Sequence, residues 1–308
     1  MQLAFRNVWK RFGATIALQG ASASPTGTMN LILGPNGCGK TTLVNCILGM
    51  KQPHDGTLEV NGREYSATSG SSWRLGARLV RERSCYLGAK LGVPTSFTGR
   101  EYLDWAFRAA NREPNETLTR AVETLMLSPF LNQRIGGYSS GMKQKVALAA
   151  SLAASPELVF WDEPISNMDA QGREQVLELV KFMSARGCRF IVVSHIPAEL
   201  EPLVDWVGFM SAGKFVASGE VGGFAMDSDV FVAETKGPRE LAERLVKEQV
   251  ASEVRVQVNA VMFKIGAGLT VPTSEGLART TGCEVSGLRR LPPSIRELYA
   301  RFTGGKPE

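Results

Sequence analysis

The chain has 308 residues, 44% of them hydrophobic and 21% charged, an ordinary globular composition with room for two domains. No apolar run approaches the roughly 18–20 residues that span a bilayer, and Met1–Arg6 carries no signal-peptide core, so a soluble, cytosolic protein is expected. Five scattered cysteines (Cys38, Cys46, Cys85, Cys188, Cys283) without a C-x-x-C pair exclude a disulfide framework and a zinc site, and a net charge of +5 suits an anionic ligand or an acidic membrane surface but is too small to argue for nucleic acid.

Residues 3–8 alternate apolar and polar as a half-buried strand does, and a second apolar stretch ends near Leu18. Phe12 between them reads either as a ring for an adenine to stack on or as a sheet-packing residue. Met29–Leu33 has the pattern of a buried strand and Leu43–Leu48 that of an apolar helix. Between them Gly34-Pro35-Asn36-Gly37-Cys38-Gly39-Lys40-Thr41-Thr42 has the G-x-x-x-x-G-K-[ST] spacing of a phosphate-binding loop. The glycines let successive N–H groups turn inward as a nest for an anion, and the helix opening at Gly39 adds its unpaired N–H groups and positive dipole end. Lys40 would reach the β- and γ-phosphates and Thr41 would ligate Mg²⁺. The expected nucleotide-binding set is Gly34, Asn36, Gly37, Cys38, Gly39, Lys40, Thr41 and Thr42. Cys38 has two readings: a small residue, or a thiol made reactive by the helix N-terminus and Lys40, both of which lower a thiol's pKa.

Turn dipeptides at Asp55-Gly56 and Asn61-Gly62 bracket a short strand, 57–60. The Ser/Gly-rich run 66–72 reads as a flexible loop and Arg74 to Arg83 as a solvated helix face. From about Phe97 to Ala154 the periodicity is helical, with helices over 100–107 and 117–127 joined by a polar connection at 111–116. Tyr138-Ser139-Ser140-Gly141-Met142 leads into a further helix, 143–153, closed by Pro156. Leu158–Trp161 is a continuous apolar run, a buried parallel strand that ends in Asp162-Glu163-Pro164. Two acids at the carboxyl end of such a strand sit where ligands bind in open α/β sheets, and burying them without a cation costs several kcal/mol. A helix over 171–186 and an apolar strand over 190–193 follow, ending in Ser194-His195. This alternation predicts a doubly wound parallel sheet.

Past Gly222 the pattern changes. Pro238 starts an amphipathic helix with Leu241, Leu245, Val246 and Val250 on one face, and 253–261 alternates as a strand. Ser294 and Glu297 have capping-box spacing and open a helix with the stripe Ile295, Leu298, Tyr299, Phe302. The expected division is a domain over 1–222 and a small α+β domain over 223–308.

The phosphate loop, the Tyr138–Met142 segment and the strand ending in Asp162-Glu163, in that order, resemble the ATPase subunit of an ABC transporter over residues 1 to about 222. The resemblance implies a RecA-like cassette with a short antiparallel β region and a helical subdomain at about 90–154. It also implies roles: Asp162 on Mg²⁺ with Thr41, Glu163 as general base, His195 at the γ-phosphate and Phe12 on the adenine. Ser139, Ser140, Gly141 and Met142 would cap the γ-phosphate held by a second cassette, and the loop ending in Asp169 would link the two sites. A homodimer closing around two Mg-ATP and driving a separately encoded permease at the cytoplasmic face of the membrane follows from the same resemblance, with no nucleic acid as partner. The tail from Pro292 to Gly304 resembles that of ABC-2 type exporters. One position departs: Ala89 stands where the family delivers a glutamine to the metal and the attacking water. A slowly hydrolysing, regulatory or non-transport ABC ATPase is the alternative.

Overall fold

The computed structural model describes residues 1–111, 113, 115–195, 199–266, 269 and 272–304, apart from the side chains of 226 and 227. The chain divides into two compact units, Met1–Glu220 together with the residues from Leu298 onward, and Val221–Glu297.

In the first unit, β1 (Leu3–Phe12) and β2 (Thr15–Ala23) form a hairpin, followed by β3 (Met29–Leu33) and α1 (Lys40–Ile47). Next come β4 (Asp55–Val60), β5 (Arg63–Ser66), α2 (Gly70–Glu82) and β6 (Ser84–Leu87). Helices α3 (Gly99–Ala109), α4 (Glu116–Thr124) and α5 (Ser140–Ser151) lead to β7 (Leu158–Asp162). Then α6 (Ala170–Ala185), β8 (Arg189–Ser194), β9 (Trp206–Ser211) and β10 (Lys214–Glu220) complete the unit's strands. Strands β2-β1-β4-β5 make an antiparallel sheet, and β10-β9-β3-β8-β7-β6 make a second sheet in which only β10 runs antiparallel to its neighbour.

The second sheet is doubly wound, as the alternation predicts. Successive side chains of a strand face opposite ways, so Ile32, Phe160, Ile191 and Val193 join one core with Leu43, Val44 and Ile47 of α1 and Trp73 of α2. On the other face the Trp161 and Phe190 rings lie 5.2 Å apart, and Trp161 Nε1–H donates to Ser151 Oγ of α5 at 3.2 Å. The parallel registers Leu33↔Ser194 and Asp162↔Val193 level the carboxyl ends of β3, β7 and β8. The segments after all three strands therefore emerge along one edge of the sheet.

Three local expectations change. The Ser66–Ser72 loop is shorter than composition suggests, because α2 begins at Gly70. Trp73 in its first turn is fully buried and donates from Nε1–H to Cys46 O at 3.0 Å, and burying so large a ring outweighs weak helix propensity. The second helix of the helical region ends at Thr124, since Met126 adopts φ +53°. Arg112 and Pro114, in the expected connection, lie outside the described residues. Helix α5 opens at Ser140, three residues earlier than its apolar periodicity shows, because Ser139 is its N-cap.

The second unit holds β11 (Val230–Glu234), α7 (Pro238–Lys247), β12 (Ala251–Val256), β13 (Ala260–Ile265), α8 (Ser274–Thr281) and β14 (Gly287–Arg290). Its antiparallel sheet, ordered β12-β13-β11-β14, packs Phe231, Val261 and Phe263 against Leu241, Leu245 and Leu277. The expected single strand over 253–261 is a hairpin, with Gln257 N–H donating to Ala260 O at 2.8 Å across its tip. Val246 is exposed rather than part of the α7 stripe, lying about 100° round the helix from Leu245. Helix α9 (Ile295–Thr303) starts in the expected capping box: Glu297 N–H donates to Ser294 Oγ at 3.2 Å and Ser294 N–H donates to Glu297 Oε2 at 2.8 Å.

Candidate nucleotide-binding site

The loop between β3 and α1 is shaped by backbone that few residues can adopt. Gly39, the N-cap of α1, has φ +109°, and a Cβ there would lie 2.4 Å from Ala17 O. Only glycine fits both demands. Lys40 is buried, and its ammonium donates to Gly34 O at 2.6 Å and Pro35 O at 3.0 Å, so its charge sits inside the loop. A cavity of about 210 Å³ is lined by Ala17, Asn36, Gly37, Gly39, Lys40, Thr41, Thr42, Ala89, Asp162 and Glu163. Its floor is basic and rich in N–H groups, and its wall is acidic.

The acidic wall comes from β7. Thr41 Oγ1–H donates to Asp162 Oδ2 at 2.6 Å, joining the loop's helix to a carboxylate that is 2% exposed. Burial pushes the Asp162 carboxyl above the usual range; the Thr41 hydrogen bond opposes the rise, the charge of Glu163 adds to it, and Lys40 offsets it. Burial also raises the Tyr86 phenol on β6, and the Asp162 charge raises it further. A buried carboxylate and a hydroxyl, both hard oxygen donors, in a place that disfavours uncompensated negative charge are what a Mg²⁺ ion needs. The residues present therefore fit that metal.

Glu163 is held from every side. Its backbone is left-handed, φ +55°, a conformation that costs a non-glycine residue about 1–3 kcal/mol and persists only where surroundings impose it. Its N–H donates to Val193 O at 2.9 Å, and its carbonyl accepts from Ser166 Oγ–H at 3.1 Å and Gln144 Nε2–H at 3.4 Å. Its carboxylate accepts from Ser194 Oγ–H at 3.1 Å through Oε2, while His195 Nδ1 lies 2.7 Å from Oε1. An ionised carboxylate can only accept, which assigns the shared proton to Nδ1.

The structure thus brings Asn36, Gly37, Gly39, Lys40, Thr41, Thr42, Asp162 and Glu163 to one cavity, with Gly34 bonded to Lys40 and His195 bonded to Glu163 just outside. Other residues stand apart. Phe12, at the end of β1, is 45% exposed beneath the Lys10 ammonium, 5.1 Å from its ring centroid, and does not line the cavity. Ser139, Ser140, Gly141 and Met142 open α5 without lining the cavity, with Met142 N–H donating to Ser139 Oγ at 3.2 Å. Asp169 caps α6, accepting from Gly172 N–H at 2.8 Å.

Of the two readings of Cys38, the structure favours the small residue. Its side chain belongs to the hydrophobic core, and burial pushes its thiol up despite the neighbouring Lys40. The lowering by the lysine is outweighed by desolvation. Sequence reasoning missed three residues that hold Glu163: Ser194, Ser166 and Gln144. The one signal for Ser194 was its position beside His195 at a strand end.

A strand, a glycine loop with a buried lysine, and a strand two places along the same sheet ending in two acids define the class of phosphate-loop nucleoside triphosphatases. Comparison with known proteins makes this specific. The ABC transporter family matches residues 22–166. Daunorubicin resistance ATP-binding protein DrrA3 of Streptomyces coeruleorubidus is 31% identical, over 96% of this chain and 93% of that protein. Nod factor export ATP-binding protein I of Rhizobium sp. (strain N33) is 30% identical, over 98% and 96%. Among solved structures, an ATP-binding subunit of an ABC transporter superposes with a TM-score of 0.64 at 23% identity, over 74% of this chain and 93% of that one. A dimeric bacterial ABC transporter cassette gives 0.60 at 20% identity, over 71% and 98%. The chain belongs to the ABC transporter family as an ATP-binding subunit, an ATPase of the kind coupled to transport.

Proposed function

We propose that the chain pairs with a second copy around two Mg-ATP and drives a separately encoded membrane permease in the export direction, from the cytoplasmic face. The observation that supports catalysis best is the continuous set Thr41–Asp162–Glu163–His195 along the carboxyl edge of the sheet. The loop N–H groups and Lys40 bind the phosphates. Thr41 and Asp162 would hold Mg²⁺, which when bound supplies charge neutralisation at the transferring phosphoryl group. Glu163 Oε1 and Oε2 are fixed by His195 and Ser194, so one carboxylate orientation is presented to a water that attacks the γ-phosphorus. Glu163 takes that water's proton, and His195 keeps the carboxylate aimed.

The dimer is supported by Ser139–Met142, which start a 12-residue helix with Ser139 and Ser140 exposed and do not line their own chain's cavity. A helix N-terminus of this kind binds phosphate, and a second chain's nucleotide is the anion the resemblance assigns to it. A related cassette has been solved as a dimer. A permease partner is supported by the absence, among the described residues, of any helix long and apolar enough to cross a membrane. Export is supported by two relatives whose names are those of a drug-resistance and an export ATPase, and whose likeness extends through the second unit.

The test is ATP hydrolysis by the purified full chain and by Glu163→Gln. Loss of the positioned base lowers kcat by about 10²–10⁴-fold, and the variant accumulates an ATP-bound dimer on size exclusion. Unchanged hydrolysis would remove Glu163 from its role. Detergent co-purification with a multi-span protein supports the permease; recovery only with ribosomes or DNA refutes it. Ala89 in the cavity wall favours a second reading, a regulatory subunit with slow turnover, which the absolute rate of the wild-type chain decides.

A further inference from the structure

Helix α5 buries one polar side chain together with its apolar ones. Gln144 is 1% exposed, followed by Val146, Ala147, Leu148 and Ala149 of the same buried helix. Its amide Nε2–H groups point at the segment after β7, donating to Pro164 O at 3.0 Å and to Glu163 O at 3.4 Å. These are two consecutive carbonyls, that of the left-handed Glu163 itself and that of the residue after it. The same helix touches this segment again nearer its start, where a Cβ on Gly141 would lie 3.3 Å from Asn167 O. The first turns of α5 and the backbone of the base are therefore packed and hydrogen-bonded together, with little room to slide.

We propose that Gln144 is a positioning residue that ties the N-terminal turn of α5 to the backbone of Glu163. The tie aims the Glu163 carboxylate and passes to it any shift of the turn that Ser139 opens. Gln144 lies four residues beyond Ser140, roughly 6 Å along the helix axis, so a tilt of the first turn reaches Glu163 through one side chain. The tie rests on the proposed function, in which Ser139–Met142 meet a nucleotide held by the second copy. Engagement of that nucleotide would then be felt at the base of the first chain's own site, which links the two sites within each chain.

The experiment compares the full-length wild type with Gln144→Met, which conserves volume but has no donor, and Gln144→Asn, which keeps the amide on a shorter stem. Small misplacement of a catalytic group costs up to about 10²-fold. Both variants should therefore lose roughly 10- to 100-fold in kcat, with KM for ATP and the affinity for trinitrophenyl-ATP unmoved. Should Gln144→Met not accumulate as folded chain, Gln144→Asn carries the comparison. The second measurement is a cycle with Glu163→Gln. If Gln144 acts through the base, the double variant turns over at the rate of Glu163→Gln alone. Independent losses that multiply would show a general structural role and overturn the tie, as would wild-type kcat in both variants. A wild-type chain without Mg-dependent hydrolysis would overturn the parent reading and the tie together, so the two failures are distinguishable.

Discussion

Thr41 Oγ1 donates a hydrogen bond of 2.6 Å to Asp162 Oδ2, and this single contact joins two segments 121 residues apart at the edge proposed to hold the metal. Its geometry depends on the parallel register of β3, β8 and β7, which brings the ends of those strands level. Replacing Thr41 by Val keeps the volume but leaves a buried carboxylate short of a donor. Hydrogen bonds to charged groups contribute about 1.5–3 kcal/mol, so the nucleotide-free variant should lose stability of that order in urea unfolding. Its Mg-dependent ATPase should fall with it. An unchanged midpoint and rate would show that the contact is incidental.

Ser194 is the least obvious residue of the site. Its hydroxyl is buried and donates to Glu163 Oε2, while His195 bonds Oε1. Ser194→Ala removes one of two restraints on the carboxylate and leaves the other. The expected result is a kcat lower by about tenfold, corresponding to a lost hydrogen bond of roughly 1.4 kcal/mol, with KM for ATP unchanged. A rise in KM at constant kcat would instead place Ser194 in nucleotide binding.

The site was legible where local backbone chemistry dictates residue type. Gly39 must be glycine, Lys40 and Thr41 must follow it, and an apolar run ending in Asp162-Glu163 has few other meanings. What escaped was produced by packing between distant segments. Ser194 and Gln144 are unremarkable in sequence and meet Glu163 only through strand register and through α5 lying on the β7 exit. The same holds for the fold. The five-residue buried strands β3 and β7 were visible, whereas β9 and β10 went unread. β10 alternates between exposed and half-buried positions and includes Gly219, so its apolar signal is weak. Composition hides the start of helix α2, because Ser and Gly precede a tryptophan whose burial overrides their propensity.

The thiols give a direct check on the environment of the loop. Cys38 is 6% exposed and its thiol is raised by burial; Cys46 is pushed up to about 11 and Cys188 to about 12 by the same cause. The thiolate is the reacting form, so maleimide at pH 7.5 should label these three positions slowly in the native chain and leave ATP hydrolysis intact. All five cysteines should react at once in guanidinium. Rapid labelling of Cys38 with loss of activity, prevented by Mg-ATP, would show that the loop opens and exposes a thiol that the folded loop keeps in the core.

Ala89 lines the same cavity as the residues that would hold the metal, in an exposed segment just after β6. Its backbone is not among the left-handed positions, so a longer side chain can be placed there without strain. Alanine brings no oxygen to the cavity, and the resemblance puts a glutamine carbonyl at this point. Ala89→Gln would add an acceptor for the metal's hydration shell and for the attacking water. A hydrogen bond of about 1.4 kcal/mol made only in the transition state raises the rate tenfold. The expected outcome is a kcat up by about that factor and half-saturation at lower Mg²⁺. Equal rates and equal Mg²⁺ dependence would mean that Thr41, Asp162 and Glu163 complete the site without a side chain at position 89.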